Sequence, residues 1–227
     1  MKTAFVTGAN RGLGLEFVTQ LIKENFLVIA GCRNPESAHN LLTLLPPEDI
    51  IRIDVGDSGS IDQAARIIEE KLPSIDWLIN NAGLGYDNDG SLATVSADSM
   101  IESFTVNALG PLMIVKALCP LLKSYSLVAN ISSKMGSVED NGSGAYYSYR
   151  TSKAALNMIS KNLSLELLAQ QIIVLNMHPG WVITDMGGKN APLTPEESIR
   201  GMIGVFKKAI LADSGKFLDY NGQVIPW

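Results

Sequence analysis

The stretch Thr7-Gly8-Ala9-Asn10-Arg11-Gly12-Leu13-Gly14 follows a short apolar run at residues 4–6 and precedes an amphipathic segment that starts at Leu15. This order predicts a strand, a tight turn and a helix. Three glycines let the turn bend sharply and approach a bulky anion, and the first N–H groups of the helix point at it. A nucleotide pyrophosphate is the simplest such anion, although the G-x-x-x-G-x-G spacing differs from the common G-x-G-x-x-G fingerprint. A purely structural turn is the alternative.

The composition predicts one domain with a substantial core. The chain has 227 residues, of which 46% are hydrophobic and 18% charged, a size at which neither disulfides nor metals are needed for stability. We therefore expect residues 1–227 to form a single domain. The net charge of -5, without a run of Lys or Arg, argues against a nucleic-acid or membrane-binding surface. Small molecules are the expected partners.

Cysteine and histidine usage points to a reducing compartment and to no metal. Cys32 and Cys119 are the two cysteines, and the start of the chain lacks a basic-then-apolar signal pattern, so we expect a cytoplasmic protein. A lysine and a proline interrupt the apolar stretch at residues 108–122, which argues against a membrane span. His39 and His178 have no second His or Cys at ligand spacing, so both are expected to be structural.

Apolar runs alternate with helical periodicity along the rest of the chain. The periodicity predicts helices over residues 37–45, 61–72, 100–123, 146–169 and 196–211, the second capped by Ser58 or Ser60 and the third bent at Gly110-Pro111. Apolar runs predict about seven strands, at residues 4–6, 27–32, 50–55, 77–80, 127–131, 172–177 and near 217. This alternation is typical of an α/β fold with a doubly wound parallel sheet and helices on both faces.

Glycine and polar residues cluster where these strands end. In a doubly wound sheet the ligand binds beyond the carboxyl ends of the strands. The residues that fall there are Gly8 to Gly14, Arg33, Asp54, Asn81 to Gly83, Ser133 and Pro179-Gly180. Packing alone does not account for this clustering, which predicts a binding site at this edge.

Tyr149 and Lys153 lie four residues apart on a predicted helix, so their side chains emerge from the same face. A nearby ammonium favours the phenolate form of tyrosine and lowers its pKa from about 10. Tyr149 is therefore a candidate proton donor and acceptor. The alternative is an exposed Tyr/Lys pair on a solvated helix.

Several motifs in this order carry a resemblance to a known family: Thr7-Gly8-x-x-x-Gly12-x-Gly14, Asn80-Asn81-Ala82-Gly83, Asn107, Ser133, Tyr149-x-x-x-Lys153 and Pro179-Gly180. Together they resemble the short-chain dehydrogenase/reductase family over essentially the whole chain. Residues 32–35, 178–186 and 222–227 are most similar to its NADP-linked carbonyl reductases and its C-factor-like, or sniffer-like, members. The resemblance implies a single-domain Rossmann fold without a separate substrate domain.

The resemblance also implies catalytic roles, in a reaction that moves a hydride between the nicotinamide and the substrate carbon without a metal. Ser133 is expected to hydrogen-bond the substrate oxygen and Tyr149 to pass the proton to it. Lys153 is expected to hold the nicotinamide ribose and lower the Tyr149 pKa, and Asn107 to hold a water linked to Lys153. Neighbouring residues in a strand point to opposite sides, so only one of Ser132 and Ser133 is expected to face the site. Ser133 is chosen because the family's catalytic serine stands three residues before a glycine, as Ser133 does before Gly136.

The cofactor-binding residues implied by the resemblance are Gly8, Asn10, Arg11, Gly12, Leu13, Gly14, Arg33, Asp54, Val55, Asn81, Ala82, Gly83, Tyr149, Lys153, Pro179, Gly180, Val182 and Thr184. For Asn81 and Thr184 a turn or cap role is the alternative. An NAD-selective site places Asp or Glu at the end of the second strand, where this chain has Cys32-Arg33. A guanidinium matches a phosphate, so we expect NADP(H), with a solvated surface charge as the alternative for Arg33.

The substrate site is expected to be open and apolar. The segment between Thr184 and the last helix, residues 185–195, is short for a lid. Its candidate walls, Met135, Val138, Tyr146, Trp181 and Met186, favour a hydrophobic or aromatic carbonyl, although each could equally be a core residue.

The sequence thus predicts an NADPH-dependent oxidoreductase that reduces an aldehyde, ketone or quinone to an alcohol with Tyr149 as proton donor. The alternative is a nucleotide-binding signalling protein of the C-factor type with incidental turnover. A nucleotide-sugar epimerase is disfavoured, because little chain follows Gly180. We expect a homodimer or homotetramer formed through the helices at residues 100–123 and 146–169, whose apolar positions Ile114, Leu118, Leu156 and Leu163 either face a partner or face the sheet.

Overall fold

The computed structural model describes residues 1–85 and 90–227. In these residues seven strands form one parallel sheet in the order β3-β2-β1-β4-β5-β6-β7. The strands are β1 (Thr3–Thr7), β2 (Leu27–Cys32), β3 (Ile50–Arg52), β4 (Ile75–Asn80), β5 (Leu122–Ile131), β6 (Ile173–His178) and β7 (Phe217–Asp219). The order reverses direction between β1 and β4, which is where such sheets open a ligand crevice. The predicted α/β fold is confirmed.

Seven α-helices are described in residues 1–85 and 90–227: α1 (Gly12–Lys23), α2 (His39–Leu42), α3 (Ser58–Lys71), α4 (Ala97–Phe104), α5 (Gly110–Leu118), α6 (Tyr147–Glu166) and α7 (Pro195–Lys208). Helices α1 and α7 pack on one face of the sheet, and α3, α5 and α6 pack on the other. Residues of β1 alternate between the two cores, as the pleat requires: Ala4 and Val6 lie in one and Phe5 in the other.

The helix expected at residues 100–123 consists of several segments. A π-helical turn at Thr105–Leu109 joins α4 to α5, and a 3-10 turn at Cys119–Leu121 follows. The irregularity therefore precedes Gly110-Pro111, where a bend was expected. By length and composition the run Ala97–Leu121 could cross a membrane, but here its α5 part packs on the sheet core.

Other boundaries also differ from the sequence predictions. Asp57 caps α3 by accepting a hydrogen bond from the Ser60 N–H, so the expected caps Ser58 and Ser60 are wrong. Strand β5 begins at Leu122, well before residue 127, because the Ser126 hydroxyl donates to the Ile75 carbonyl at 2.6 Å and holds residues 122–126 against β4.

The sheet edge at β7 is covered by residues further along the chain. Leu218 pairs antiparallel with Val224. The Asp219 N–H donates to the Gln223 carbonyl, and the Ile225 N–H donates to the Phe217 carbonyl, both at 2.8 Å. Residues 223–225 therefore use the outer backbone groups of β7.

The four apolar positions considered for association face the interior. Ile114, Leu118, Leu156 and Leu163 are all buried, three of them within the core under α3, α5 and α6. The structure therefore resolves the two alternatives for these positions in favour of packing within the chain.

Candidate active site

The glycine-rich turn between β1 and α1 forms a cradle that side chains would fill. Gly8 and Gly12 have φ angles of +64° and +53°, which favour glycine. A Cβ atom on Gly14 would lie 2.2 Å from the Gly8 carbonyl oxygen, and one on Gly8 would lie 2.8 Å from the Ala82 Cα. The N-cap residue Arg11 forms no capping hydrogen bond with its side chain, which leaves the first N–H groups of α1 open to a ligand. The cradle fits a diphosphate.

Asn81 holds this turn against β4. Its side-chain amide donates to the carbonyls of Thr7 and Gly8 at 2.9 and 3.2 Å. The Thr7 hydroxyl accepts from the N–H groups of Asn81 and Ala82 at 3.1 and 3.0 Å. Asn81 thus makes the contacts that are expected if it stabilises a turn, which is the alternative to cofactor binding.

Ser133 and Tyr149 meet through their side chains. Ser133 follows β5 and accepts a hydrogen bond from the Met135 N–H at 3.2 Å, which leaves its own hydrogen free to donate. The Ser133 side chain lies beside that of Tyr149 and lowers the pKa of its phenol. Ser132 points elsewhere, because its hydroxyl donates to Asn157 Oδ1 at 2.6 Å. The structure therefore brings Ser133, and not Ser132, to Tyr149.

Lys153 lies behind Tyr149 on α6. Its Nζ donates to the Ile131 carbonyl at 2.8 Å and lies 5.7 Å from the centroid of the Tyr149 ring. Burial lowers the pKa of Lys153 to about 8, so its ammonium form still predominates at neutral pH.

The pKa of Tyr149 is raised from its usual value. Burial is the main cause, and the neighbouring Ser133 side chain opposes it. The spacing of Tyr149 and Lys153 predicts a lowered pKa for Tyr149. This prediction is wrong for this chain, because desolvation of the phenol has the largest effect on its pKa. At neutral pH Tyr149 is a phenol that carries a proton to donate.

Asn107 lies in the π-helical turn and clamps the backbone after β4. Its Oδ1 accepts from the Leu84 N–H and its Nδ2 donates to the Leu84 carbonyl, both at 2.8 Å, and Nδ2 also donates to the Ser152 hydroxyl at 3.0 Å. A Cβ atom on Gly83 would lie 3.1 Å from Asn107 Oδ1 and 3.6 Å from Lys153 Nζ. Asn107, Gly83 and Lys153 therefore adjoin one another.

Gly85 is a site residue that sequence reasoning missed. A Cβ atom there would lie 3.5 Å from the Met186 sulfur and 3.7 Å from Tyr149 Cδ2, so Met186 lies beside the phenol. The other proposed walls differ in exposure: Met135 is half-buried, and Tyr146, Trp181 and Val138 are exposed. The sequence offers the spacing of Gly83 and Gly85 as a signal for this residue. Spacing along the chain, however, does not show that Gly85 lies next to Met186 and Tyr149.

The segment after β6 folds back over the turn. Gly180 has a φ of +84° and directs the chain towards α1. Val182 is buried and pairs with Leu193, and the Trp181 Nε1–H donates to the Gly187 carbonyl at 2.7 Å. The Thr184 hydroxyl accepts from the Gly187 N–H at 3.0 Å, a cap role, while its methyl lies near Gly12.

Charged residues lie around the crevice. Arg11 forms an exposed ion pair with Asp185, whereas Arg33 is exposed and has no ion pair in residues 1–85 and 90–227. Asp54 Oδ1 accepts from the Gly56 N–H at 2.9 Å. Val55 is buried and its carbonyl lies 2.5 Å from where a Gly110 Cβ atom would be.

Known proteins resemble this chain in sequence and fold. A sequence model of the short chain dehydrogenase family matches residues 2–193. C-signal of Myxococcus xanthus is 43% identical over 158 residues, which cover 67% of this chain and 93% of that protein. The NADPH-bound carbonyl reductase from chicken fatty liver has a TM-score of 0.93 at 36% identity, over 100% of this chain and 99% of that one. The carbonyl reductase Sniffer of D. melanogaster has a TM-score of 0.94 at 32% identity, over 100% of both chains. The resemblance found in the motifs is confirmed.

Proposed function

Because this chain belongs to the short-chain dehydrogenase/reductase family, we propose that it reduces the carbonyl group of a hydrophobic or aromatic aldehyde, ketone or quinone to an alcohol, using NADPH. The observation that carries the proposal is that Ser133 lies beside the Tyr149 phenol and lowers its pKa, with Lys153 Nζ 5.7 Å from the centroid of the phenol ring. This arrangement supports the proposal, because two neighbouring hydroxyl donors can contact one carbonyl oxygen.

The protein groups act on the substrate oxygen. A reduced nicotinamide, when bound, supplies the hydride that goes to the carbonyl carbon. The Ser133 hydroxyl donates to the carbonyl oxygen, and Tyr149 transfers its proton to that oxygen as negative charge develops there. The Lys153 ammonium stabilises the phenolate that remains. Asn107 keeps the Leu84 backbone, and with it Gly83 and Gly85, in place beside the phenol.

The glycine cradle and the two arginines support NADP(H) as the cofactor. The N–H groups at the start of α1 suit the diphosphate, with Asn10 and Leu13 in the same turn. Arg33 and Arg11 offer guanidinium groups to a further phosphate, and Arg33 stands where an NAD-selective site has an acid. On this proposal Pro179, Gly180, Val182 and Thr184 line the nicotinamide end. The NADPH-bound structure of the chicken carbonyl reductase agrees with it.

The apolar character of the site mouth supports the substrate class. Trp181 and Met186 are each 56% exposed and Tyr146 is 45% exposed, so they offer apolar surface, and Met186 lies beside the Tyr149 ring. An aromatic or aliphatic body would cover this surface favourably. We further propose that the chain works as one domain in the cytoplasm.

Association through α4 and α6 remains our proposal for the oligomer, now with different contact residues. Ile101, Phe104, Met158 and Leu165 are 46–64% exposed on these helices and would be covered in a homodimer or homotetramer. Ile101→Asp combined with Met158→Asp should convert the oligomer to a monomer in light-scattering measurements, and a wild-type monomer would refute this.

We do not favour a signalling protein with incidental turnover. A protein that merely binds a nucleotide has no evident need for a serine hydroxyl beside a tyrosine whose ring lies 5.7 Å from a lysine ammonium.

The test is NADPH oxidation by the wild type and by Tyr149→Phe against a panel of aromatic aldehydes, ketones, diketones and quinones. We expect wild-type turnover and a loss of at least about a hundredfold in Tyr149→Phe. Tyr147→Phe, two residues earlier on the same helix and exposed, is the matched control and should retain activity. NADPH binding without turnover of any substrate would refute the reductase.

A further inference from the structure

A buried polar stripe continues along α6 beyond the residues discussed above. Asn157 lies one turn after Lys153 on the face of α6 that meets the sheet, and it is 4% exposed. Its Oδ1 accepts from the Ser132 hydroxyl at 2.6 Å and also accepts from the side-chain amide of Asn176. Its Nδ2 donates to the Gly136 carbonyl at 3.1 Å. One amide thus contacts residues 132, 136 and 176.

Two of these contacts hold the segment that carries Ser133. Ser132 and Gly136 bracket Ser133, so Asn157 ties down both ends of a five-residue segment. The segment has little freedom to move towards α6, because a Cβ atom on Gly136 would lie 2.7 Å from the Lys153 carbonyl carbon. The position of the Ser133 hydroxyl relative to Tyr149 therefore depends on where Asn157 places the segment.

The amide of Asn157 is itself fixed by a network that crosses three strands. Asn80, Asn130 and Asn176 are register partners on β4, β5 and β6. The Asn80 amide donates to Asn130 at 2.8 Å, and the Asn130 amide donates to the Ser160 hydroxyl at 2.9 Å. The Ser160 hydroxyl lies 3.1 Å from Asn176 Oδ1. These hydrogen bonds connect Asn157 to β4, β5 and β6.

We propose that Asn157 is a positioning residue for the reaction, which holds Ser133 at hydrogen-bonding distance from Tyr149 and from the substrate oxygen. This inference rests on the proposed reductase function. Asn157 does not reach the reacting atoms: its side-chain contacts are with Ser132, Gly136 and Asn176, and its effect on the reaction passes through Ser133.

The kinetic test compares Asn157→Ala in two backgrounds. In the wild type we expect kcat to fall about 10- to 100-fold, less than or equal to the loss in Ser133→Ala, with the NADPH KM within about twofold. In the Ser133→Ala background, Asn157→Ala should cause no further loss, because the group that it positions is gone. An equal loss in both backgrounds would overturn the proposal.

Ser164→Ala is the matched control. Ser164 lies seven residues further on α6, is also buried and donates its hydroxyl to the Lys161 carbonyl at 2.7 Å, outside the network that holds Asn157. Its loss should lower stability while changing kcat less than about twofold. If Asn157→Ala does not fold, Ser132→Ala removes one of the same contacts from the other side and should lower kcat several-fold. An unchanged kcat in Ser132→Ala and Asn157→Ala would contradict the role.

A second readout does not need turnover. The Ser133 side chain lowers the pKa of Tyr149, so misplacing Ser133 should shift the Tyr149 titration upward. NMR of tyrosine-labelled protein should show the same upward shift in Asn157→Ala and Ser133→Ala and none in Ser164→Ala. If the wild type reduces no carbonyl, the proposed function fails, but this titration still decides the positioning. An unshifted Tyr149 in Asn157→Ala would overturn it.

Discussion

The guanidinium of Arg11 lies 2.9 Å from the carboxylate of Asp185, so an ion pair joins the glycine-rich turn to the segment after β6. Both side chains are largely exposed, and an exposed pair contributes at most about 1 kcal/mol. The pair nevertheless spans the crevice in which the cofactor is proposed to bind. Arg11 cannot offer its full charge to a phosphate while Asp185 holds it.

Asp185→Asn should therefore tighten NADPH binding. Removing the carboxylate frees Arg11 and removes a negative charge near the anionic cofactor, so we expect the Kd to fall about two- to fivefold, measured by fluorescence titration. Glu196→Gln is the control, because it breaks a comparably exposed pair with Arg200 on α7. Weaker NADPH binding in Asp185→Asn would mean that the pair holds Arg11 in its binding position.

Arg33 should determine the preference for NADPH over NADH. A charge-assisted hydrogen bond contributes about 1.5–3 kcal/mol, so Arg33→Ala should raise the NADPH KM about 10- to 100-fold and leave the NADH KM nearly unchanged. Arg52→Ala is the control at the end of the neighbouring strand, where Arg52 pairs with Glu36. An unchanged ratio of the two KM values would remove Arg33 from the cofactor site.

The rate of carbonyl reduction should depend on the protonation of Lys153. Its pKa of about 8 means that the ammonium is present below pH 8 and is lost above it, whereas Tyr149 stays protonated because its own pKa is raised. We expect kcat/KM to be level at neutral pH and to fall above about pH 8, by up to about tenfold per unit. Lys161→Met, an exposed lysine on the same helix, should keep this profile, and Lys153→Met should abolish the inflection. A profile level to pH 10 would contradict it.

His178 should make the fold sensitive to acid. Burial lowers its pKa from 6.5 to about 4, with Asp219 and Asp140 opposing the shift and Lys134 reinforcing it. The unfolded chain therefore binds more protons between about pH 4 and 6.5, so stability falls as the pH falls through that window. The difference corresponds to about 3 kcal/mol at about 1.4 kcal/mol per unit.

Urea unfolding at pH 7 and pH 4.5 measures this effect. His178→Gln should lose less stability on acidification than the wild type, by up to about 3 kcal/mol, while His39→Gln, which changes an exposed histidine, should behave like the wild type. Equal losses in all three proteins would show that other groups carry the acid sensitivity.

Periodicity predicts the sheet well because its signals are local. Runs such as Leu27–Cys32 are apolar throughout, as strands covered on both faces must be. Two other features have no local signal in the sequence. The start of β5 at Leu122 accompanies the contact of Ser126 with β4. The π-helical turn at Thr105–Leu109 accompanies the hydrogen bond of Asn107 to Leu84. Such boundaries need the tertiary structure.

Some features of the candidate site can be predicted from local sequence, and others depend on the tertiary structure. That Tyr149 and Lys153 share one face of α6 follows from helix geometry. The choice of Ser133 over Ser132 needed, besides strand geometry, the spacing to Gly136 that the family resemblance supplies. The direction of the Tyr149 pKa does not, because spacing reports the nearby charge but not the desolvation that outweighs it. Asn157 lies four residues after Lys153, so helix geometry predicts that it shares a face of α6 with Lys153. Its partners Ser132, Gly136 and Asn176 are distant in sequence, so their contacts with it could not be predicted.

The return of residues 223–225 along β7 also bears on self-assembly. An open strand edge is a template for pairing with another chain and a route to aggregation. Here the Asp219 N–H and the Phe217 carbonyl already have partners in Gln223 and Ile225. This short antiparallel return therefore shields one margin of the sheet from intermolecular strand addition.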